Sequence, residues 1–399
     1  MDAILRSAGW LSPEGLRRTP LAIRAGRVDG AAPTPAYALD LQGHVLLPGL
    51  INAHEHLHVN AVPRLRQGRV FANAYQWIEA FQAHFADPAV AAALAVPKAL
   101  RLRHGGLKNL LAGATCAAHH DPWDRALDAA DFPIALLRGH GWAYAPGWPQ
   151  YGPSLRESFL ATPPQRPWLI HLGEGTDAVA RAELGQLDAL GCLAANTVLI
   201  HGVGLGEDDQ SRVIARGAAV VWCPSSNLAL LGRTLDPRRL HAAGRLALGS
   251  DSRLSGARDL LDELRLAASI GGLDASDAFD LASARAADVL RLDRGRLRPG
   301  AAADLIVVAD RGGAPADSLV GLSRADLRAV VRGGVPSIAD PDFAPWFRAA
   351  GVAAVRVELD GRPKLLAKAL ADPQLLALEP GLSLCEPVAP ARAAAGAQA

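Results

Sequence analysis

The sequence predicts an α/β fold, a parallel barrel of βα units beside a small β domain assembled from both ends of the chain. Three observations predict it. Seven short apolar runs alternate with amphipathic stretches through the middle of the chain. Each run is continuous rather than alternating, as expected of parallel strands buried on both faces. Nearly every run closes on ligand-grade polar residues, and most of the twelve histidines lie at these ends. In an α/β barrel the C-terminal strand ends form the active-site face.

The runs are HVLLPGLINA (44–53), ATCAA (114–118), FPIALLR (132–138), PWLIH (167–171), NTVLIH (196–201), AAVVWC (218–223) and RLALGS (245–250). They end at HEHLH, His119-His120-Asp121, Gly139-His140-Gly141-Trp142, His171-Leu172-Gly173-Glu174, His201, Cys223-Pro224-Ser225-Ser226-Asn227 and Asp251-Ser252. Between them lie helix-like segments. VAAALAVPKALRLRHGGLKNLLAG is one, to be kinked or split by Pro97, and AVARAELGQLDALG, EDDQSRVIARG and ARDLLDELRLAASI are others. The fourth unit is irregular. The stretch after the third run holds YAPGWPQYGP and only one helix-like segment, SLRESFLAT, so a strand there is very short or missing. Residues 1–46 and 297–370 read as short strands and turns of the small β domain. Residues 47–296 form the barrel, and 371–399 are read as a largely disordered low-complexity tail.

Composition narrows the function. Half the residues are apolar and the net charge is +1, with no basic run, which argues against nucleic acid as a partner. No stretch is long and apolar enough for a membrane span, and the N-terminal residues do not read as a signal peptide. Cys116, Cys192, Cys223 and Cys385 are widely spaced, against both a disulfide framework and a cysteine-built zinc site; a cytoplasmic location is the expectation.

His54-Glu55-His56-Leu57-His58 fits two metal signatures. As H-E-x-x-H it is a helix with His54 and His58 on the metal and Glu55 as base. As H-x-H it is a strand end with His54 and His56 on one side and Glu55 on the other. The preceding VLLPGLI is β-branched, apolar and broken by Pro-Gly, which favours the strand. Two imidazoles do not complete a catalytic zinc site. His171, His201 and Asp251, each closing a buried run, are the candidates for the remaining ligands.

On PGLINAHEH together with HLGE, LIHG, WCPSSN and GSDS, the chain resembles the amidohydrolase superfamily. It is most similar to the mononuclear branch with cytosine, guanine and S-adenosylhomocysteine deaminases and the triazine hydrolases. The resemblance implies a (β/α)8 TIM-like barrel, distorted here at the fourth unit, with a small β-sandwich domain. It implies one divalent metal, zinc first with iron(II) as the alternative, on His54, His56, His171 and Asp251. Glu174 matches the H-x-x-E proton shuttle, and His201 the histidine that binds the hydrolytic water or substrate oxygen. None of the four lysines sits at a strand end, against a carbamylated-lysine bridge between two metals.

The activity so implied is hydrolysis of a C–N bond in a small nitrogen-containing substrate, by deamination or cyclic amide or amidine cleavage. Cleavage of an amide or amidine in a peptide or natural-product intermediate is the alternative. A barrel without catalysis, serving as a binding protein, is the alternative of another class. Weaker candidates for substrate contact are His58, His120, His140, Trp142 and Asn227. The strand ends are rich in His and Trp and poor in Arg and Lys, which disfavours a phosphorylated or strongly anionic substrate and suits a neutral or weakly basic nitrogen compound. The expected partner is a small molecule, with neither nucleic acid nor membrane, and a homo-oligomer is compatible.

Overall fold

The computed structural model describes residues 2–31, 37–64 and 68–385. Eight parallel strands form its centre: β1 (Leu50–Glu55), β2 (Ala114–His119), β3 (Ala135–Leu136), β4 (Gly141–Trp142), β5 (Trp168–Leu172), β6 (Thr197–His201), β7 (Ala219–Trp222) and β8 (Leu246–Leu248). They pair as two sheets, β3-β2-β1 and β4-β5-β6-β7-β8. A parallel bridge between Glu55 and Asp251 sets the end of β1 beside the chain leaving β8. In β1, β2, β5, β6, β7 and β8 every residue is buried, which is why these strands read as unbroken apolar runs.

The fourth strand exists, and it is the end of the run assigned to the third. Only Leu137–His140 separate β3 from β4, with no helix between them. His140 therefore lies in this connection and Trp142 in β4, rather than both closing the third strand. β4 carries glycine where Thr162 passes closest: a Cβ at Gly141 would meet Thr162 Oγ1 at 1.7 Å. The helix that follows, Leu155–Ala161, is tied back to β4 by Ser158, whose hydroxyl donates to the Trp142 carbonyl and accepts from the Trp168 indole.

Three helices precede β2: α1 (Ala74–Gln82), α2 (Pro88–Ala95) and α3 (Lys98–Leu111). Pro97 divides α2 from α3 as the sequence predicts, because proline removes a donor and pushes the residue before it out of helical geometry.

The first apolar run is two strands in two sheets. His44–Pro48 lies in a nine-stranded sheet, and the chain crosses at Gly49 into β1. Any side chain at Gly49 would collide with Thr115, 2.4 Å from the position of a Cβ. In the nine-stranded sheet His44–Pro48 runs antiparallel to Leu305–Ala309, so the two chain ends share one layer. A second sheet of four strands comes wholly from the N-terminal segment. No helix among the described residues is long and apolar enough to cross a membrane.

The tail begins later than its composition predicts. Residues 371–385 are ordered, with a helix at Pro373–Ala377 and a strand at Leu382–Leu384 on the edge of the nine-stranded sheet. Residues 386–399 lie outside the described residues. What holds 371–385 is Glu379, a fully buried carboxylate that accepts from His104 (2.8 Å), from both terminal nitrogens of Arg253 (2.7 and 2.8 Å) and from Arg324. Burial alone would raise its pKa, but His104, Arg253 and Arg324 outweigh burial and hold it well below the ordinary carboxylate range. The stabilisation is therefore complete above the unfolded pKa of about 4.3 and is lost as pH falls toward the folded value. Glu379→Gln is expected to lower stability by about 3–5 kcal/mol at neutral pH. Its deficit against the parent protein should narrow below about pH 4. Urea unfolding midpoints at the two pH values measure both.

Candidate active site

The H-x-H segment ends a strand. His54 and Glu55 belong to β1, and a 3-10 turn, Leu57–Val59, follows His56. No helix carries His54 and His58 on one face, so the H-E-x-x-H reading fails. The strand's period of two turns Glu55 away from the histidines into a closed polar network. Its Oε2 accepts from Lys108 Nζ at 2.7 Å and from Asn109 at 3.0 Å, and its Oε1 accepts from Asn60 at 3.1 Å. Glu55 and Lys108 are both fully buried. The network reaches the other side of the site: Asn52 binds Ser250 through both hydroxyl and amide, and Asn60 Oδ1 accepts from the Arg253 amide.

Four donor atoms converge on the opposite side. The Nε2 atoms of His56 and His171 are 3.2 Å apart. Asp251 Oδ1 lies 3.7 Å from His54 Nε2 and 3.6 Å from His56 Nε2. One ligand atom from each of His54, His56 and His171 falls within 4.8 Å of the others. Each donor is aimed from behind. His56 Nδ1 bonds Asp121 Oδ2 at 2.7 Å, His171 Nδ1 donates to the Tyr144 carbonyl at 2.9 Å, and Ser226 and Ser255 each donate to Asp251 Oδ2 at 2.6 Å. His54 is fully buried, and neither of its ring nitrogens has a hydrogen-bond partner. A buried imidazole with nothing to bind, facing two imidazoles and a carboxylate, fits a divalent cation. Asp251 (φ 56°) and His201 (φ 75°) adopt left-handed backbone that is rare outside glycine and recurs at functional sites.

The electrostatics agree with that fit. Burial, and then the neighbouring imidazoles, push His54 and His171 well below the ordinary histidine range, so both rings are neutral and able to ligate. Burial opposes charge on His56 too, but the carboxylates of Asp121, Asp251 and Glu55 outweigh it and lift the ring to about 9. The cluster thus attracts one positive charge. Burial, and then Asp251, raise Glu174 well above the ordinary carboxylate range, which favours its protonated form. Glu174 Oε1 stands 3.5 Å from His201 Nε2. His201 Nδ1 donates to Asn227 Oδ1 at 2.8 Å, which leaves Nε2 of the neutral ring as an acceptor.

His56, His171, Glu174, His201 and Asp251 all line a cavity of about 460 Å³. Among the substrate-contact candidates only His58 lines it. His120 is buried behind the wall, stacked on His171 at 4.3 Å between ring centroids and bonded through Nε2 to the Ala143 carbonyl. Trp142 packs edge-on against His120, and Asn227 is a buried partner of His201. His140, in the β3–β4 connection, is likewise absent from the lining. Strand ends place residues at different depths, and these four are not among those that line the cavity.

Sequence reasoning missed several residues that do line it. Asp121 closes the second run in His119-His120-Asp121, where His120 is the substrate-contact candidate. Tyr144, Trp148 and Tyr151 come from the irregular fourth unit, and Tyr75, Trp77 and Phe81 from α1. Lys98 and Arg101, at the start of α3, bring cationic side chains that the strand ends lack.

Two substitutions separate the layers. Asp121→Asn should weaken zinc binding about 10–100-fold with the fold retained, read by competition with a chelator. Glu55→Gln should lower stability by about 3–5 kcal/mol, because Lys108 is left buried without its counter-ion. Glu55→Gln combined with Lys108→Met should recover most of that loss in urea unfolding.

Residues 159–336 match the amidohydrolase family. The chain is 27% identical over 339 residues to a 5-methylthioadenosine/S-adenosylhomocysteine deaminase of Halobacterium salinarum, covering 71% of this chain and 78% of the relative. A protein of the same name from Haloquadratum walsbyi is 39% identical over 135 residues, covering 31% of this chain. Matches of this shorter kind span only about a third of the curated relatives' length, 30% in H. walsbyi and 36% in Haloarcula marismortui. Among solved structures, a zinc-bound adenosine deaminase from Xanthomonas campestris is similar at a TM-score of 0.67 and 21% identity, covering 88% of this chain and 97% of its own. A mutant atrazine chlorohydrolase of Arthrobacter aurescens, complexed with zinc and atraton, is similar at 0.69 and 18%, covering 88% and 98%. At these identities the structures speak for a shared fold. The H-x-H strand end, the converging His171 and Asp251, and these matches agree in one direction: the chain is similar to amidohydrolases, with the family itself matched over residues 159–336.

Proposed function

We propose that this protein is a metal-dependent hydrolase that cleaves a C–N bond of a small nitrogen-containing substrate, with deamination of an amino-substituted heterocycle as the leading reaction. The observation that carries the reading is the set of four inward donors, His54, His56, His171 and Asp251, with Glu174 and His201 beside them on one cavity wall. The names of the curated relatives, deaminases of 5-methylthioadenosine, S-adenosylhomocysteine and 5'-deoxyadenosine, support it. We assign the fold as a (β/α)8 barrel whose seam lies between β3 and β4, with the two flanking sheets as its β-sandwich domain. Zinc is the assigned metal, on the zinc of the similar structures and the three-imidazole donor set.

When bound, the cation supplies a Lewis acid that makes water acidic enough to act near neutral pH. The chain's own residues handle the protons. Asp251 has Oδ2 held by two serine hydroxyls, so Oδ1, the atom that would also face the cation, is the one that can take a proton from the attacking water. Glu174, whose protonated form burial favours, delivers a proton to the departing nitrogen, which leaves as a better group. His201, with Nδ1 fixed by Asn227, accepts at Nε2. At Nε2 it can accept a hydrogen bond from the attacking water, which leaves the Glu174 proton for the departing nitrogen.

The test is ammonia release from a panel of amino-heterocycles by zinc-loaded protein. Glu174→Gln should lose about 10²–10⁴-fold in rate with metal content unchanged. Full activity in that variant, or purified protein that takes up no metal, would sink the proposal.

A further inference from the structure

A cation stands on the cavity wall without a counter-ion. Arg101 lines the cavity and is only 8% exposed, yet no carboxylate among the described residues lies within ion-pair distance of it. Its partners are two carbonyls: Nη1 donates to His58 O at 2.6 Å and Nε to Val96 O at 3.0 Å. The remaining guanidinium N–H groups have no protein partner among the described residues, and they are not fully shielded from solvent. A buried guanidinium ordinarily finds a carboxylate, because burying an unpaired charge is costly. Burial indeed pulls the Arg101 pKa down, with no acid to offset it.

Two further features favour an anion at the same end. Lys98, one turn earlier, also lines the cavity and has only a distant partner, Asp124 at 3.8 Å. Both residues sit in the first turn of α3, whose N-terminus carries no side-chain cap and is the electropositive end of a fourteen-residue helix.

The wall between this end and the histidine cluster is apolar and aromatic. Trp77 and Phe81 of α1 stack at 5.5 Å and face the cavity with Leu254. The carboxylates that line the cavity are already engaged. Asp121 holds His56 and the Tyr151 hydroxyl, Glu183 holds the Tyr75 hydroxyl and the Gly173 amide, and Asp251 holds two serines. Glu174 belongs to the proton transfer.

We infer that Arg101, with Lys98, forms an anion subsite, and that the substrate carries a carboxylate on an apolar or aromatic part that lies against this wall. This rests on the proposed hydrolase site for the location of the reacting end, but its test reads binding and not turnover. Zinc-loaded full-length protein is titrated calorimetrically with 4-phenylbutyrate and with its neutral amide, 4-phenylbutyramide. The carboxylate should bind about tenfold tighter or more, as expected of a charge-assisted bidentate contact. Arg101→Met should erase the preference while amide binding persists, and Arg101→Lys should keep part of it. Arg101→Gln retains a side-chain donor in the same turn; it should lose the preference as Met does, and it stands in if the Met variant does not fold. Equal binding of the two probes, or no binding of either at millimolar concentration, overturns the inference. A preference that survives both Arg101→Met and Arg101→Gln belongs to the metal and overturns it too. Glu174→Gln should keep the preference while losing ammonia release, so a failed subsite and a failed hydrolase reading give different results.

Discussion

The buried ion pair between Glu55 and Lys108 is the interaction on which the site depends. Glu55 sits between two metal-ligand candidates on β1, and its backbone bridges to Asp251, the fourth. Its carboxylate meets Lys108, Asn109, Asn52 and Asn60, and through Asn52 and Asn60 the network reaches Ser250 and Arg253 on either side of Asp251. One closed polar knot thus sets the separation of the H-x-H pair from Asp251. A pair with no exposure to water holds this geometry because any shift would leave a charge unmatched in a low-dielectric interior. The residue that one motif would make a base is in fact a structural anchor.

On the other side of β1 the logic inverts. His54 and His171 are stripped of charge by burial, while His56 is charged by the carboxylates around it. The anions exceed what three imidazoles satisfy, and the cluster is poised for a cation. Asp121 and the two serines on Asp251 hold the donors at their outer atoms and leave the inner atoms convergent. Glu174 lies beyond the donors, where burial and Asp251 favour its protonated form. Glu174 is raised while Asp121, held against burial by His56 and His58, is lowered, so two carboxyl groups of one cavity are driven in opposite directions.

The cavity above this centre owes its character to segments outside the regular βα pattern. The α1–α2–α3 segment between β1 and β2 provides stacked aromatics and the pair Lys98 and Arg101, and the shortened β3–β4 unit provides Tyr144, Trp148 and Tyr151. The strands place the reacting groups, and the excursions decide what fits beside them. This is the usual partition in parallel α/β folds, where loops can vary without disturbing the strand framework.

The sequence by itself determined the strand units, because strands buried on both faces must be continuous in apolar residues. It favoured the H-x-H reading, because VLLPGLI is β-branched and broken by Pro-Gly, and it placed His54, His56, His171, His201 and Asp251 at the ends of buried runs, while the family resemblance added Glu174 and the ligand set. It also showed where Pro97 divides the helices. Tertiary structure decided the rest. His120, His140, Trp142 and Asn227 stand behind the cavity wall, since alternation tells the side of a strand but not the depth along it. Asp121 gained its place through a contact with His56 across 65 positions of chain. The run 44–53 divided between two sheets because Thr115 leaves room only for glycine at the crossing. Residues 371–385 are folded because Glu379 meets two arginines and a histidine from three distant segments, and a local reading of composition contains none of those partners.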